Sequence, residues 1–234
     1  MKRIMPVAAA LMLLQACAQY DSLQVFGAAS TRLINEDLAA AIDASLSFNN
    51  AGSSALVQQI AEGAEADVLI TANEQTMKLA QSNVAAPRAV ASNDMVLIVP
   101  KGNPAKISSF SSLDHALLVI CDANVPCGDT TAQLAKANGV TLKPASLEQS
   151  VSDVLGKVIS QEADAGVVYR TDAAAASEQV EVIEIPHAEE FKNTIMAAVV
   201  KNSSKQKAAA GVVEKLDSAS FDEVWQRYGF IPSP

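Results

Sequence analysis

The stretch Val25-Phe26-Gly27-Ala28-Ala29-Ser30, running directly into Thr31-Arg32-Leu33-Ile34, constrains the fold more than any other part of the chain. Its apolar start reads as a buried strand, its small residues allow close backbone approach, and Ser30 stands where a helix begins. The same grammar follows at once. A strand around 45–48 leads through Asn49-Asn50-Ala51-Gly52 to a helix that starts at Ser53-Ser54, turns Leu56, Val57 and Ile60 inward and stops near Gly63. Asp67-Val68-Leu69-Ile70-Thr71 is the next strand. Such a βαβαβ pattern predicts a mainly parallel sheet with its working loops at the strand C-terminal ends. There, serine-started helices expose backbone N–H groups and hydroxyls together, an arrangement suited to an anion.

The rest of the chain continues the alternation. Helices are expected over 30–41 and 74–80, followed by a turn at Ala86-Pro87-Arg88. Met95 to Val99 is a strongly apolar strand, and the Lys101-Gly102-Asn103-Pro104 turn is expected to mark the entry to a second lobe. Beyond it the pattern gives a strand over 116–120, helices over 130–137 and 150–159, and strands over 165–169, 180–185 and 195–200. Ser150 with Asp153 forms a capping box with a shortened acid. The last strand carries the chain back, a helix follows over 208–216, and Ser220 with Glu223 reads as the cap of a short final helix bearing Trp225 and Tyr228. We therefore expect an α/β fold of two lobes, each with a mainly parallel sheet, with a ligand cleft between them and two crossings forming a hinge. Lobe I is set at 22–92 and 198–234 and lobe II at 93–197.

The N-terminus, 1–17, reads as an export signal. Lys2 and Arg3 precede a short apolar run from Met5 to Leu14, too short to span a membrane as a stable helix. Three processing readings stay open. Leu14-Gln15-Ala16-Cys17 resembles a lipobox, with Cys17 lipidated at the mature N-terminus. Ala16-Cys17-Ala18 also passes as an ordinary small-x-small cleavage site, and an N-terminal segment buried in a cytosolic protein is the remaining case.

Composition narrows the partners. The formal charge is -9 and becomes more negative without Lys2 and Arg3, which argues against nucleic acid. An anionic ligand would then have to be held by local dipoles rather than a basic funnel. Aromatic residues make up only 4% of the chain, leaving little material for sugar stacking or a cation cage. His115 and His187 are too isolated for a metal site, so no direct cation ligands are expected. Cys121 and Cys127 flank a strand-to-loop turn, and in an oxidising exported environment a disulfide between them is the expected pairing, provided their Cα atoms come within about 7 Å.

Several segments together resemble one family. VFGAAS at 25–30, AGSSALVQQIAEGAEADVLITAN at 51–73, NDMVLIVP at 93–100, VPCG at 125–128, GVVYRTDA at 166–173 and RYGF at 227–230 are similar, in number, order and spacing, to the molybdate- and tungstate-binding proteins of ABC importers. The resemblance covers essentially the whole mature chain. It implies a two-lobed solute-binding protein of the periplasmic type II fold, neither an enzyme nor cofactor-dependent. The implied ligand is molybdate or tungstate, the implied partner the importer's membrane permease, and the implied state an exported monomer whose one link to a membrane is the lipid anchor. Carried over position by position, Ser30 and Ser53 would offer hydroxyl and backbone N–H, Cys127 and Val151 backbone N–H, and Tyr169 its hydroxyl. Two positions depart from the family: Cys127 stands where alanine is frequent, and Asn193-Thr194 where a Tyr-Pro pair often opens the returning strand.

Each of these residues also has a plainer role. Ser30, Ser53 and Ser150 could simply cap helices, and Tyr169 at a strand end could simply pack. Two other functions compete with molybdate delivery. One is a carrier of sulfate or phosphate, whose cleft would hold a charged or accepting group. The other is an exported serine or cysteine hydrolase using Ser30 or Cys127, which needs a general base within hydrogen-bond reach.

Overall fold

The computed structural model describes residues 22–233, so the export signal and the acylation expected at Cys17 lie outside the described residues. Two sheets organise the chain. The first contains β1 (Leu23–Ala28), β2 (Leu46–Ala51), β3 (Val68–Thr71), β4 (Val84–Asn93), β10 (Asn193–Val200) and β11 (Ile231–Pro232), in the order β11-β4-β10-β3-β1-β2. The second contains β5 (Met95–Pro100), β6 (Leu118–Cys121), β7 (Ser146–Glu148), β8 (Ala165–Tyr169) and β9 (Val180–Ile183), in the order β7-β6-β8-β5-β9.

The α/β, two-lobed expectation holds, but the sheets are mixed rather than mainly parallel. β1 pairs in parallel with β2 and β3, and β6 with β7 and β8. Every other pairing is antiparallel, because the strands next to the two crossings, β4, β5 and β10, run against their neighbours. Direction is invisible to hydrophobic periodicity, which reports only that a strand is buried.

The crossings explain two further corrections. β5 already belongs to the second sheet, so the Lys101–Pro104 turn lies within that lobe and the chain crosses at Asn93–Asp94. β10 belongs to the first sheet from Asn193 onward, so a boundary at 197/198 falls inside a strand. The expected turn at Ala86-Pro87-Arg88 is part of β4: Ala86 takes a positive φ of 44° and the ladder to β10 breaks register twice, which lets a proline sit in the strand.

Helices cover both sheets. The first-lobe helices are α1 (Asn35–Ala41), α2 (Ser53–Ala61), α3 (Glu74–Leu79), α7 (Gln206–Leu216) and α8 (Asp222–Arg227), and those of the second are α4 (Pro126–Ala137), α5 (Val151–Ile159) and α6 (Arg170–Ala175). Val154, Leu155 and Val158 form the buried stripe of α5, and its start is fixed as expected, the Ser150 hydroxyl accepting from the Asp153 N–H. The cap expected from Ser220 and Glu223 does not form. Phe221 precedes α8 with no side-chain cap, and the Ser220 hydroxyl accepts from Lys215 instead. α8 is anchored by packing: buried Trp225 meets Phe221 and Phe230 edge-on and donates its indole N–H to the Leu216 carbonyl.

Candidate functional site

The strand C-terminal ends of the two lobes converge on one small cavity. Ala28, Ala29, Ser30, Gly52, Ser53 and Ala72 line it from the first lobe; Val125, Pro126, Cys127, Gln149, Ser150, Val151 and Tyr169 line it from the second. All five residues singled out in the sequence are thus brought together. The cavity offers about 20 Å³ to the centres of water-sized atoms, equivalent to a sphere of roughly 1.7 Å radius. One small tetrahedral anion suits that space, whereas an amino acid or a sugar does not.

Local structure sets what each residue presents. Ser30 is not a helix cap. A 3₁₀ segment, Ala29–Ile34, opens after Ala28 without a side-chain cap and continues into α1. Ser30 therefore sits in its first turn, 1% exposed, with a hydroxyl that has no partner. A buried hydroxyl without a partner is destabilising unless something else fills the place. Ser53 is the first residue of α2, after Gly52, and its Oγ accepts from the Ala72 N–H at 3.1 Å, leaving its own proton to donate. Cys127 and Val151 lie in the first turns of α4 and α5, where no carbonyl of the same helix is placed to accept their N–H groups.

Cys121 and Cys127 are joined by a disulfide with a Cα–Cα distance of 5.7 Å, which closes the loop between β6 and α4. Gly128 must be glycine here, because a Cβ would stand 1.9 Å from the Asp122 carbonyl oxygen. Tyr169 ends β8, 1% exposed, with its hydroxyl accepting from Asn193 Nδ2 at 2.9 Å. Burial, the nearby charge of Asp172 and that of Asp129 push the phenol well above its ordinary range, despite an opposing hydrogen bond from Asn193. It is a proton donor at any physiological pH.

Among the described residues, the lining contains no Lys, Arg, His, Asp or Glu. A serine or cysteine hydrolase lacks its base, since no imidazole or carboxylate lines the cavity and Cys127 is oxidised. The charges nearest to it neutralise one another across the cleft. Arg32 donates to Asp172 Oδ1 at 3.0 Å and to the Ser152 hydroxyl at 3.0 Å, linking the 3₁₀ segment of the first lobe to α5 and α6 of the second. The Ser54 hydroxyl reaches the Asn124 carbonyl at 2.8 Å, a second link across the cleft. Sequence reading did not find Arg32, Asp172 or the Thr130–Asn193 pair behind Tyr169. Their partners lie 63 to 140 residues away, and no local pattern marks them.

Two sheets joined by two crossings, with helix starts facing a shared cleft, define a solute-binding protein. The family model for bacterial extracellular solute-binding proteins matches residues 23–231, and this chain belongs to that family. It is 36% identical over 219 residues to the molybdate-binding protein ModA of Mycobacterium tuberculosis, spanning 89% of this chain and 84% of that one. Its identity to the Escherichia coli molybdate-binding protein ModA is 28% over 236 residues, spanning 92% and 91%. The fold superposes on the periplasmic molybdate-binding protein of Azotobacter vinelandii with a TM-score of 0.77 at 16% identity, covering 91% of this chain and all of that one.

Proposed function

We propose that this chain captures molybdate, and tungstate with it, between its lobes and delivers the anion to the membrane permease of an ABC importer. One observation carries the reading: a cavity of single-anion size between the lobes, where serine and tyrosine hydroxyls and helix-start N–H groups meet in a lining that, among the described residues, has no charged side chain. Ser30 and Ser53 are assigned hydroxyl and N–H contacts, Cys127 and Val151 N–H contacts, and Tyr169 a hydroxyl contact. Each hydrogen bond to a charged acceptor contributes roughly 1.5–3 kcal/mol, so six or seven of them offset the desolvation of a dianion. The two crossings at Asn93–Asp94 and just before Asn193 are the assigned hinge, with lobe boundaries beside them.

The donors also select. Phosphate near neutral pH carries a proton that would meet another donor in a buried place. Sulfate carries none, but its shorter bonds draw the four oxygens inward from a wall fixed by helix starts. Supporting the same assignment, both ModA relatives are described as molybdate-binding. The protein is assigned as an exported monomer, in the periplasm or, where Cys17 is lipidated, on the outer face of the cell membrane.

Isothermal titration of the purified protein at neutral pH tests this reading. One-to-one binding of molybdate and tungstate is expected, with sulfate and phosphate producing no heat. Tighter binding of sulfate or phosphate than of molybdate would overturn it.

A further inference from the structure

The first strand residues beside the two crossings are both asparagines, Asn93 and Asn193, which face each other in the β4–β10 ladder and are 1% and 3% exposed. Each binds a residue of the second lobe. Asn93 Nδ2 donates to the Thr171 hydroxyl at 2.7 Å, while Asn193 is the centre of a longer relay. Its Oδ1 accepts from the Thr130 hydroxyl on α4, and its Nδ2 donates both to the Tyr169 hydroxyl at 2.9 Å and to the Pro126 carbonyl at 3.4 Å. The Pro126 carbonyl can only accept, so it fixes which end of the amide faces it. The nitrogen, not the oxygen, therefore meets Tyr169.

A hydroxyl that accepts from an amide has its single proton left to donate, and Tyr169 lines the cavity. We propose that Asn193, held in place by Thr130, sets the Tyr169 hydroxyl as a donor into the cavity and is thereby the positioning residue that makes the site reject anions carrying a proton. This inference rests on the oxyanion reading above. Ser53 is set in the same sense by the Ala72 N–H, so of the four hydroxyls in the lining those of Tyr169 and Ser53 have an accepting side occupied from behind, while that of Ser150 is spent on Asp153, accepting from its N–H and donating to its Oδ2. Without Asn193 the phenol is free to turn, to accept from a protonated anion as readily as it donates to a bare one. The relay then governs selectivity more than affinity.

Selenate and arsenate separate these effects, being close in size while arsenate alone keeps a proton at neutral pH. Their ability to displace molybdate gives a selectivity ratio for the wild-type protein, for N193L and for T130V, which removes the hydroxyl that holds Asn193 Oδ1 and leaves only the long 3.4 Å contact to the Pro126 carbonyl to orient the amide. The wild type is expected to favour selenate over arsenate by about a hundredfold, and the ratio to fall about tenfold or more in N193L and to fall also in T130V. Y169F, which has no hydroxyl to orient, should make the N193L substitution silent in the ratio. A wild type that binds molybdate yet does not separate selenate from arsenate overturns the inference, as does an unchanged ratio in the variants that fold. Should N193L not fold, the T130V ratio decides alone. A wild type that binds no oxyanion fails at the earlier step and overturns the site reading itself.

Discussion

Gly52→Ala isolates lobe closure from chemistry. Gly52 precedes α2 with a φ of -58°, so alanine fits its backbone without strain. What it does not fit is the opposite lobe: a Cβ on residue 52 would lie 2.2 Å from the carbonyl oxygen of Gln149. Real Cβ contacts do not fall below 3.0 Å, so the lobes must stand at least about 0.8 Å further apart there. An anion held against the first lobe would then see the Cys127, Val151 and Tyr169 donors recede from about 2.9 Å to about 3.7 Å, past the distance at which they bond. Losing two of these three bonds at the low end of their worth removes about 3 kcal/mol, roughly a hundredfold in Kd. The unliganded variant should melt within a few degrees of wild type, because the contact is made across the cleft rather than within a core. Titration calorimetry with molybdate, paired with a thermal melt, reads both quantities. Binding within tenfold of wild type would refute the claim that the cavity described is the closed, ligand-holding arrangement.

Three further outcomes follow from the same geometry. Ser30→Ala removes a buried hydroxyl that has no partner, so the unliganded protein should be as stable as wild type or more so, while molybdate affinity falls about tenfold to a hundredfold; calorimetry that shows unchanged affinity would remove Ser30 from the site. Burial, only partly offset by Arg32, lifts the Asp172 carboxyl from 3.8 to about 6, so the folded chain keeps a proton there that the unfolded chain has released. On account of this group stability falls as pH rises from about 4 to about 6, by up to about 3 kcal/mol, and Asp172→Asn should flatten that part of the denaturation profile. Replacing Cys121 and Cys127 with serine opens a short loop whose closure contributes about 2 kcal/mol in the chain-entropy picture; the variant should melt several degrees lower yet still bind molybdate, since position 127 contributes its backbone N–H.

The buried strands were legible because their sequences leave no alternative. Val25-Phe26, Val68 to Ile70, Met95 to Val99 and Val167-Val168 are apolar on both faces and bounded by small or polar residues, as strands covered by helices on both sides must be. β4 was not legible. Its middle, Ala85 to Ala89, is small-residue and largely exposed and carries a proline, so no buried apolar period marks it, and it becomes a strand only because β10 returns beside it. The two shortest edge strands, β7 and β11, have too few residues to show a period at all.

The site divided in the same way. Ser53, Ser150 and Val151 stand at helix starts that local sequence announces, whereas Ser30 reaches the cavity wall by a different route from the expected one, since it lies inside a 3₁₀ turn rather than capping an α-helix. The groups that orient and neutralise the site, Asn193, Thr130, Arg32 and Asp172, act through contacts that exist only once the lobes meet. A chain read in one dimension contains no trace of them.

The central claim is that a tetrahedral oxyanion sits between the lobes on neutral donors alone. Crystals grown with tungstate and measured at the tungsten absorption edge test it directly, because the anomalous signal locates the anion without reference to the protein. One strong peak is expected in the cavity, with oxygens within hydrogen-bond distance of Ser30, Ser53, Cys127, Val151 and Tyr169 and no charged side chain in contact. A peak elsewhere, or an anion held by Arg32 released from Asp172, would contradict it.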